Sequence, residues 1–219
     1  MYMENHKEKW DELHQMSVFN PLYPTESVVR FVKSAFSEPE RTHLLDLGCG
    51  AGRHVVFLAK EGYQVTGIDF SLEGLELTRA KLAQERLHAK LVHSSILPLP
   101  FEDASFDGII AYGVLIYFMP DDIRAAAKEM HRVLKPGGKA FIVVRSTDDK
   151  RYGLGEEIEA HTFRMNNLNE ENFVVHYFTA EEISTGLFSE FAGIQIGFAN
   201  DDLGSLTAYN SNYLVTLMK

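Results

Sequence analysis

Apolar positions along this chain change their period several times, and each change marks an element. Runs of apolar residues at 43–47, 63–69, 90–93, 106–112 and 139–144, each four to eight residues long, predict strands. Helical spacing fills the gaps. A short helix is expected over 4–15. After the break at Asn20-Pro21-Leu22-Tyr23-Pro24, Val28, Val29, Phe31 and Val32 predict a second helix over 25–36. Residues 53–60 read as a third. Ser71 reads as the N-cap of a fourth, with Leu72, Leu75, Leu82 and Ala83 on one face. Pro120, Asp121 and Asp122 open a fifth, where proline and acids suit the first turn. Its face is Ile123, Ala126, Ala127, Met130, Val133 and Leu134, and Pro136-Gly137-Gly138 is expected to end it. Strand and helix patterns therefore alternate from about residue 40 to 145, the signature of βαβ units on a parallel sheet.

The last third reads differently. Residues 146–177 are polar and without period, and are expected to be an irregular insertion rather than a second domain. Thr179-x-x-Glu182 is a capping-box signature ahead of another helix. Two strands near 192–199 and 212–218, joined by the turn-like Asn200–Gly204, are expected to form a hairpin at the sheet edge.

Composition narrows the function classes. With 21 basic and 31 acidic residues in 219, the net charge of −10 argues against nucleic-acid binding, which needs a basic surface. The single cysteine, Cys49, excludes an intrachain disulfide and a cysteine zinc cluster. The nine histidines are scattered, with no HExxH, so no metal is expected. The charged N-terminal stretch does not resemble a signal peptide, and the longest apolar run, 108–119, is too short for a bilayer. A cytoplasmic protein with no membrane partner is expected; nothing bears on its oligomeric state.

The informative stretch is LLDLGCGAGRH, Leu44 to His54. A strand running into a glycine turn and a helix N-terminus is a site for a nucleotide-like ligand, because glycines let the ligand approach the backbone. Asp69, at the end of the second strand and about twenty residues on, is placed to accept hydrogen bonds from ribose hydroxyls. The dinucleotide fingerprint requires G-x-G-x-x-G. Here Gly48, Gly50 and Gly52 are followed by Arg53 where its third glycine belongs, and no Tyr-x-x-x-Lys pair exists. A nucleotide-cofactor oxidoreductase is therefore the alternative rather than the first reading.

LLDLGCGAGRH, VTGIDFS, LPLPFEDASFDGII and RVLKPGGKAFI, in that order over about residues 40–145, resemble a class I S-adenosylmethionine-dependent methyltransferase. The resemblance implies an α/β, Rossmann-like three-layer sandwich whose seven-stranded, mostly parallel sheet ends in an antiparallel hairpin. It implies one domain over 1–219: an N-terminal helical cap (1–38), a cofactor-binding core (40–145), the insertion (146–177) and a C-terminal helix and hairpin (178–219). It implies S-adenosyl-L-methionine as cofactor and direct methyl transfer to a small molecule. Asp46 would organise the turn and meet the ligand's ammonium. Gly48, Gly50 and Gly52 would pass under its methionine and ribose, Asp69 would bind the ribose, and Phe70 would lie against adenine. The backbone of Ala111 and Tyr112 would close the floor. Many relatives carry an aspartate four residues before the LPF, where this chain has Ser95; Ser95 and the Ile96 backbone are thus the adenine-edge candidates.

An already activated methyl needs a positioned nucleophile more than a fixed catalytic triad. Tyr117, Glu159 and His176 are the candidates for catalysis; Trp10, Tyr23, Arg145 and Tyr177 for substrate contact. Lys150, Arg151 and Arg164 could hold an anionic acceptor, although a solvated charged loop explains them as well. A protein that binds the cofactor without catalysis is the remaining alternative.

Overall fold

The computed structural model describes residues 7–16, 19–166, 170–201, 204 and 209–219. Positions 4–6 of the first expected helix, Asn167 of the insertion, and Asp202 and Leu203 of the hairpin turn lie outside them. The strands are β1 (His43–Leu47), β2 (Gln64–Asp69), β3 (Lys90–His93), β4 (Phe106–Tyr112), β5 (Leu134–Arg145), β6 (Glu156–Glu159), β7 (Thr162–Arg164), β8 (Val174–His176), β9 (Gly193–Asp201) and β10 (Asn210–Met218). The helices are α1 (Lys7–His14), α2 (Glu26–Ala35), α3 (Arg53–Lys60), α4 (Leu72–Gln84), α5 (Pro120–Val133) and α6 (Ala180–Glu182), the last continued by a π turn over Ile183–Leu187.

Seven strands form one sheet in the order β3-β2-β1-β4-β5-β10-β9. The first five are parallel, and β10 runs antiparallel to both β5 and β9. The edge hairpin and the Rossmann-like layering are as the sequence reading expects. Period-two alternation explains the layers. Leu44 on β1, Ile110 on β4 and Phe141 and Val143 on β5 pack with α2, α3 and α4. Leu45 and Leu47, Ile109 and Ala111, and Ala140, Ile142 and Val144 pack on the other face with α5. Asp46 shares the parity of Leu44 and so faces α3.

Three expectations change. The 146–177 segment is not irregular: β6, β7 and β8 form a separate antiparallel sheet, its last two strands buried under the main core. On α4, Leu72 is 47% exposed and Ala83 is exposed, whereas Gly74, Leu75, Thr78 and Leu82 are buried. That face is part polar because it packs on the glycine turn. At the end of α5 the strand begins at Leu134, so Pro136-Gly137-Gly138 lies within β5 rather than before it. Two caps stand as read: Ser71 accepts from the Gly74 N–H, and Thr179 and Glu182 form both bonds of a capping box.

Candidate active site

Between β1 and β4 the chain switches direction across the sheet, which opens a crevice at the strands' carboxyl ends. A cavity of about 520 Å³ occupies it. Its floor is the turn from β1 to α3. Gly48 and Cys49 both donate to the Ile68 carbonyl (2.9 and 3.0 Å), tying the turn to the end of β2. The Asp69 carboxylate bridges two segments, accepting from Gly50 N at 2.7 Å and from Ser71 N at 2.8 Å. Thr78 Oγ1 donates to the Gly50 carbonyl (2.8 Å) and Lys81 Nζ to that of Ala51 (2.7 Å). Gly52 has φ +78°, and a Cβ there would stand 2.3 Å from Thr78 Oγ1, so both the conformation and the packing demand glycine. The turn is a preformed concavity, held by α4 side chains that sequence spacing did not single out.

Two buried carboxylates lie beneath and beside it. Asp46 is almost fully buried; burial pushes its pKa up to about 7 against the opposing pull of Arg53, and its Oδ2 has no hydrogen-bond partner among the described residues. Asp69 is raised as well, by burial first, with the N–H groups of Ser71 and Gly50 acting against the rise. Arg53, the first residue of α3, lies in the cavity wall with Cζ 4.6 Å from the centre of the Tyr112 ring. His54 is held neutral, its pKa lowered to about 3 by burial and then by Arg53, and its Nε2 bonds to Thr25 Oγ1 at 3.1 Å.

Helix α1 closes the crevice from above. Asp11 accepts from the Ser71 hydroxyl (2.6 Å) and from Glu73 N (3.2 Å), which fastens α1 to the start of α4. This sets His14 over the turn, 2.8 Å from where a Cβ of Gly50 would be. His14 Nδ1 donates to the Phe19 carbonyl at 3.4 Å, and Nε2 has no hydrogen-bond partner among the described residues.

Of the residues singled out from sequence, Gly48, Gly50, Gly52, Asp69, Phe70, Ser95, Ile96, Tyr112, Trp10 and Tyr117 all line this cavity. Asp46 and Ala111 lie beneath the lining, both buried. The Ser95 hydroxyl accepts from the Leu97 N–H at 3.1 Å. The structure does not bring the other five to the cavity. Tyr23 is 81% exposed on the approach to α2, and Glu159 is exposed on β6. Arg145 is buried against Glu170 (2.5 Å). His176 bonds to Thr162 Oγ1 (2.9 Å) inside the small sheet, and burial takes its pKa down to about 4. Tyr177 is core, ringed by Tyr152 and Phe163. Tyr23 and Glu159 face solvent, and Arg145 and His176 each have one bond made locally, although Arg145 Nη1 and His176 Nε2 are buried with no hydrogen-bond partner among the described residues. Arg151 likewise chelates Asp149 (2.7 and 2.8 Å), and Arg164 is exposed on β7. Among the described residues no group of three or more His, Cys, Asp or Glu could hold a metal, and no helix is long and apolar enough to cross a membrane.

The residues that sequence reasoning missed are Arg53 in a ligand role, His14 and Gly113. Gly113, just beyond β4, lines the cavity at φ +68°, and a Cβ there would meet nothing within 4 Å: the absent side chain is cavity space.

Parts of the chain are similar to known proteins. Residues 44–138 match the family described as a methyltransferase domain. An O-methyltransferase, resE, of Aspergillus sclerotiorum is 36% identical over 121 residues, 54% of this chain and 45% of that protein. A demethylmenaquinone methyltransferase of Staphylococcus aureus is 45% identical over 100 residues, 44% of this chain and 40% of its own length. The chain thus spans less than half the length of these curated relatives. A crystal structure of an S-adenosylmethionine-dependent methyltransferase from Methanosarcina mazei superposes with a TM-score of 0.74 at 26% identity, covering 90% of this chain and 99% of that one.

Proposed function

We propose that the chain is a class I S-adenosylmethionine-dependent methyltransferase, all of it working as one domain that moves a methyl group from S-adenosylmethionine to a small molecule; its fold and the domain matched over residues 44–138 support this reading. The observation that carries this is the preformed glycine turn with an unpartnered buried carboxylate oxygen at Asp46 and a cation at Arg53. Together they offer an amino acid head group a partner for each of its charges.

The residues present fit that cofactor. Asp46 would meet the ammonium, directly or through water, and Arg53 the carboxylate. Asp69 keeps lone pairs beyond those given to Gly50 and Ser71, because an ionised carboxylate has about four acceptor sites; these would take the ribose hydroxyls. His14 Nε2 is a further polar atom on the same side. Phe70 would lie along adenine, with Ser95 and Ile96 at its edge. When bound, S-adenosylmethionine supplies an activated sulfonium methyl. The protein's share is positioning and the exclusion of water, which α1 performs by covering the crevice. A hydroxyl acceptor would also need a base; Glu159 and His176 lie away from the cavity, and the Tyr117 hydroxyl, its pKa raised by burial, is already committed to Glu170.

Isothermal titration with S-adenosylmethionine and with S-adenosylhomocysteine tests the reading. Saturable micromolar binding of both is expected, with a change in emission of Trp10, the chain's one tryptophan, which lines the cavity. No binding of either at millimolar concentration would overturn it. Transfer of labelled methyl to any small molecule of a cell extract would exclude a protein that only binds.

A further inference from the structure

The cavity has two ends of different character. The glycine end holds its only charged lining residues among those described, Arg53 and Asp69. The other end is walled by Trp10, Phe19, Tyr117 and Phe118, contributed by α1, the segment after it and the stretch after β4, while Val114 packs on Gly48, its Cγ2 2.5 Å from where a Cβ of that glycine would be. Three of these rings, Trp10, Phe19 and Tyr117, are locked together. Trp10 meets Tyr117 edge to face (4.9 Å, 81°) and Phe19 likewise (6.1 Å, 90°), and Phe173 buttresses both Trp10 (5.3 Å) and Tyr117 (5.5 Å) from behind.

That wall has two polar atoms: Trp10 Nε1, buried with no hydrogen-bond partner among the described residues, and the Tyr117 hydroxyl, which is turned away. Tyr117 donates its hydroxyl proton to Glu170 Oε1 (3.0 Å), and the same oxygen accepts from Arg145 Nη2 at 2.5 Å. This buried arrangement fixes the ring and leaves its face toward the cavity apolar. A charged molecule entering here would lose its water and find no counter-charge. A planar ring would instead find faces and edges already set at the angles aromatic pairs prefer.

Building on the cofactor assignment above, we propose that the methyl acceptor is a neutral, planar aromatic molecule clasped by Trp10, Phe19, Tyr117 and Phe118, with its reacting atom toward the glycine end. The residues that give the slot its specificity are these four, and Arg145 and Glu170 act as positioning residues through Tyr117.

The test titrates the full chain, saturated with S-adenosylhomocysteine, with three probes of one skeleton: 2-naphthol, its saturated form decahydro-2-naphthol, and naphthalene-2-sulfonate. Each aromatic contact corresponds to roughly two- to tenfold in affinity, so 2-naphthol is expected to bind at least tenfold more tightly than either of the others. Phe19→Ala is expected to weaken 2-naphthol by roughly two- to tenfold while shifting S-adenosylhomocysteine affinity less than twofold, and Phe19→Tyr to restore it. Equal or tighter binding of the saturated or sulfonated probe overturns the proposal, with no variant needed. An unchanged 2-naphthol affinity in a folded Phe19→Ala protein does so too. Failure of S-adenosylhomocysteine to bind the unaltered chain is a different result: it removes the cofactor assignment, and this inference with it.

Discussion

Asp46→Asn is expected to make the ligand-free protein more stable at pH 8 and, at the same pH, to weaken S-adenosylmethionine binding at least tenfold. The carboxyl of Asp46 is buried with one oxygen unpartnered, and burial raises its pKa to about 7. In the unfolded chain it ionises near 4. The folded state therefore binds the extra proton between those values, and stability falls as pH rises through the window. At about 1.4 kcal/mol per pH unit the loss amounts to about 4 kcal/mol by pH 8. Asparagine does not ionise. Its amide still needs partners in a buried place, a cost of about 1–3 kcal/mol, so a net gain of about 1–3 kcal/mol at pH 8 is expected, vanishing or reversing near pH 4. Urea unfolding of both proteins from pH 4 to 8 measures it; a difference independent of pH would show that Asp46 does not titrate in this way.

The same group makes binding pH-dependent. To face an ammonium Asp46 must give up its proton, so affinity for S-adenosylhomocysteine should drop by up to tenfold per unit below pH 7 in the natural protein, with one proton released on binding. In Asp46→Asn that slope should be lost. A carboxylate left costly in the empty protein is what a strong site for a cation requires: the destabilisation and the affinity have one origin.

Much of this frame is legible in the sequence because it rests on local signals. Residues 43–47, 53–60, 90–93 and 106–112 form the elements their patterns predict, with boundaries unchanged. β1 and β4 end at a glycine and α3 begins after one, and each of these three buries a face whose period shows along the chain, whereas β3 is only half-buried. The small sheet is not legible in this way. β7 and β8 are three residues each, and β6 is exposed throughout, so no alternation has room to appear. Its existence is a matter of long-range pairing.

The site divides along the same line. The glycines and Asp69 announce themselves by spacing. His14 does not, since its role comes from Asp11 docking α1 onto α4, sixty residues on in the chain. Arg145 and Glu170 pair across 25 residues and Tyr117 and Glu170 across 53. From sequence, Arg145, His176 and Tyr177 look available for substrate; folding gives each a nearer partner. A polar residue's type tells what it can bond, and only the fold tells what has already been bonded.

Asp69→Ala is expected to abolish measurable cofactor binding, and a second substitution separates the reason from simple unfolding. In the folded protein the two Asp69 oxygens accept from Gly50 N and Ser71 N, both buried. Alanine leaves both N–H groups without partners, at about 1–3 kcal/mol each, and also removes the acceptors for the ribose. A loss of about 2–6 kcal/mol in stability and at least a hundredfold in affinity should follow. Asp69→Asn keeps the shape but offers one acceptor oxygen and one NH₂. The oxygen can serve only one of the two turn N–H groups, and the amide opposes the other donor to donor. It should lie between alanine and the natural residue in stability, yet bind adenosine itself, which lacks the amino acid part, as poorly as Asp69→Ala does. The Asp46→Asn protein should bind adenosine normally, because its change concerns the ammonium end alone. Calorimetry with adenosine and S-adenosylhomocysteine on the three variants is decisive. Equal losses for adenosine in the Asp46 and Asp69 variants would mean that the two carboxylates serve the turn and not separate ends of one ligand.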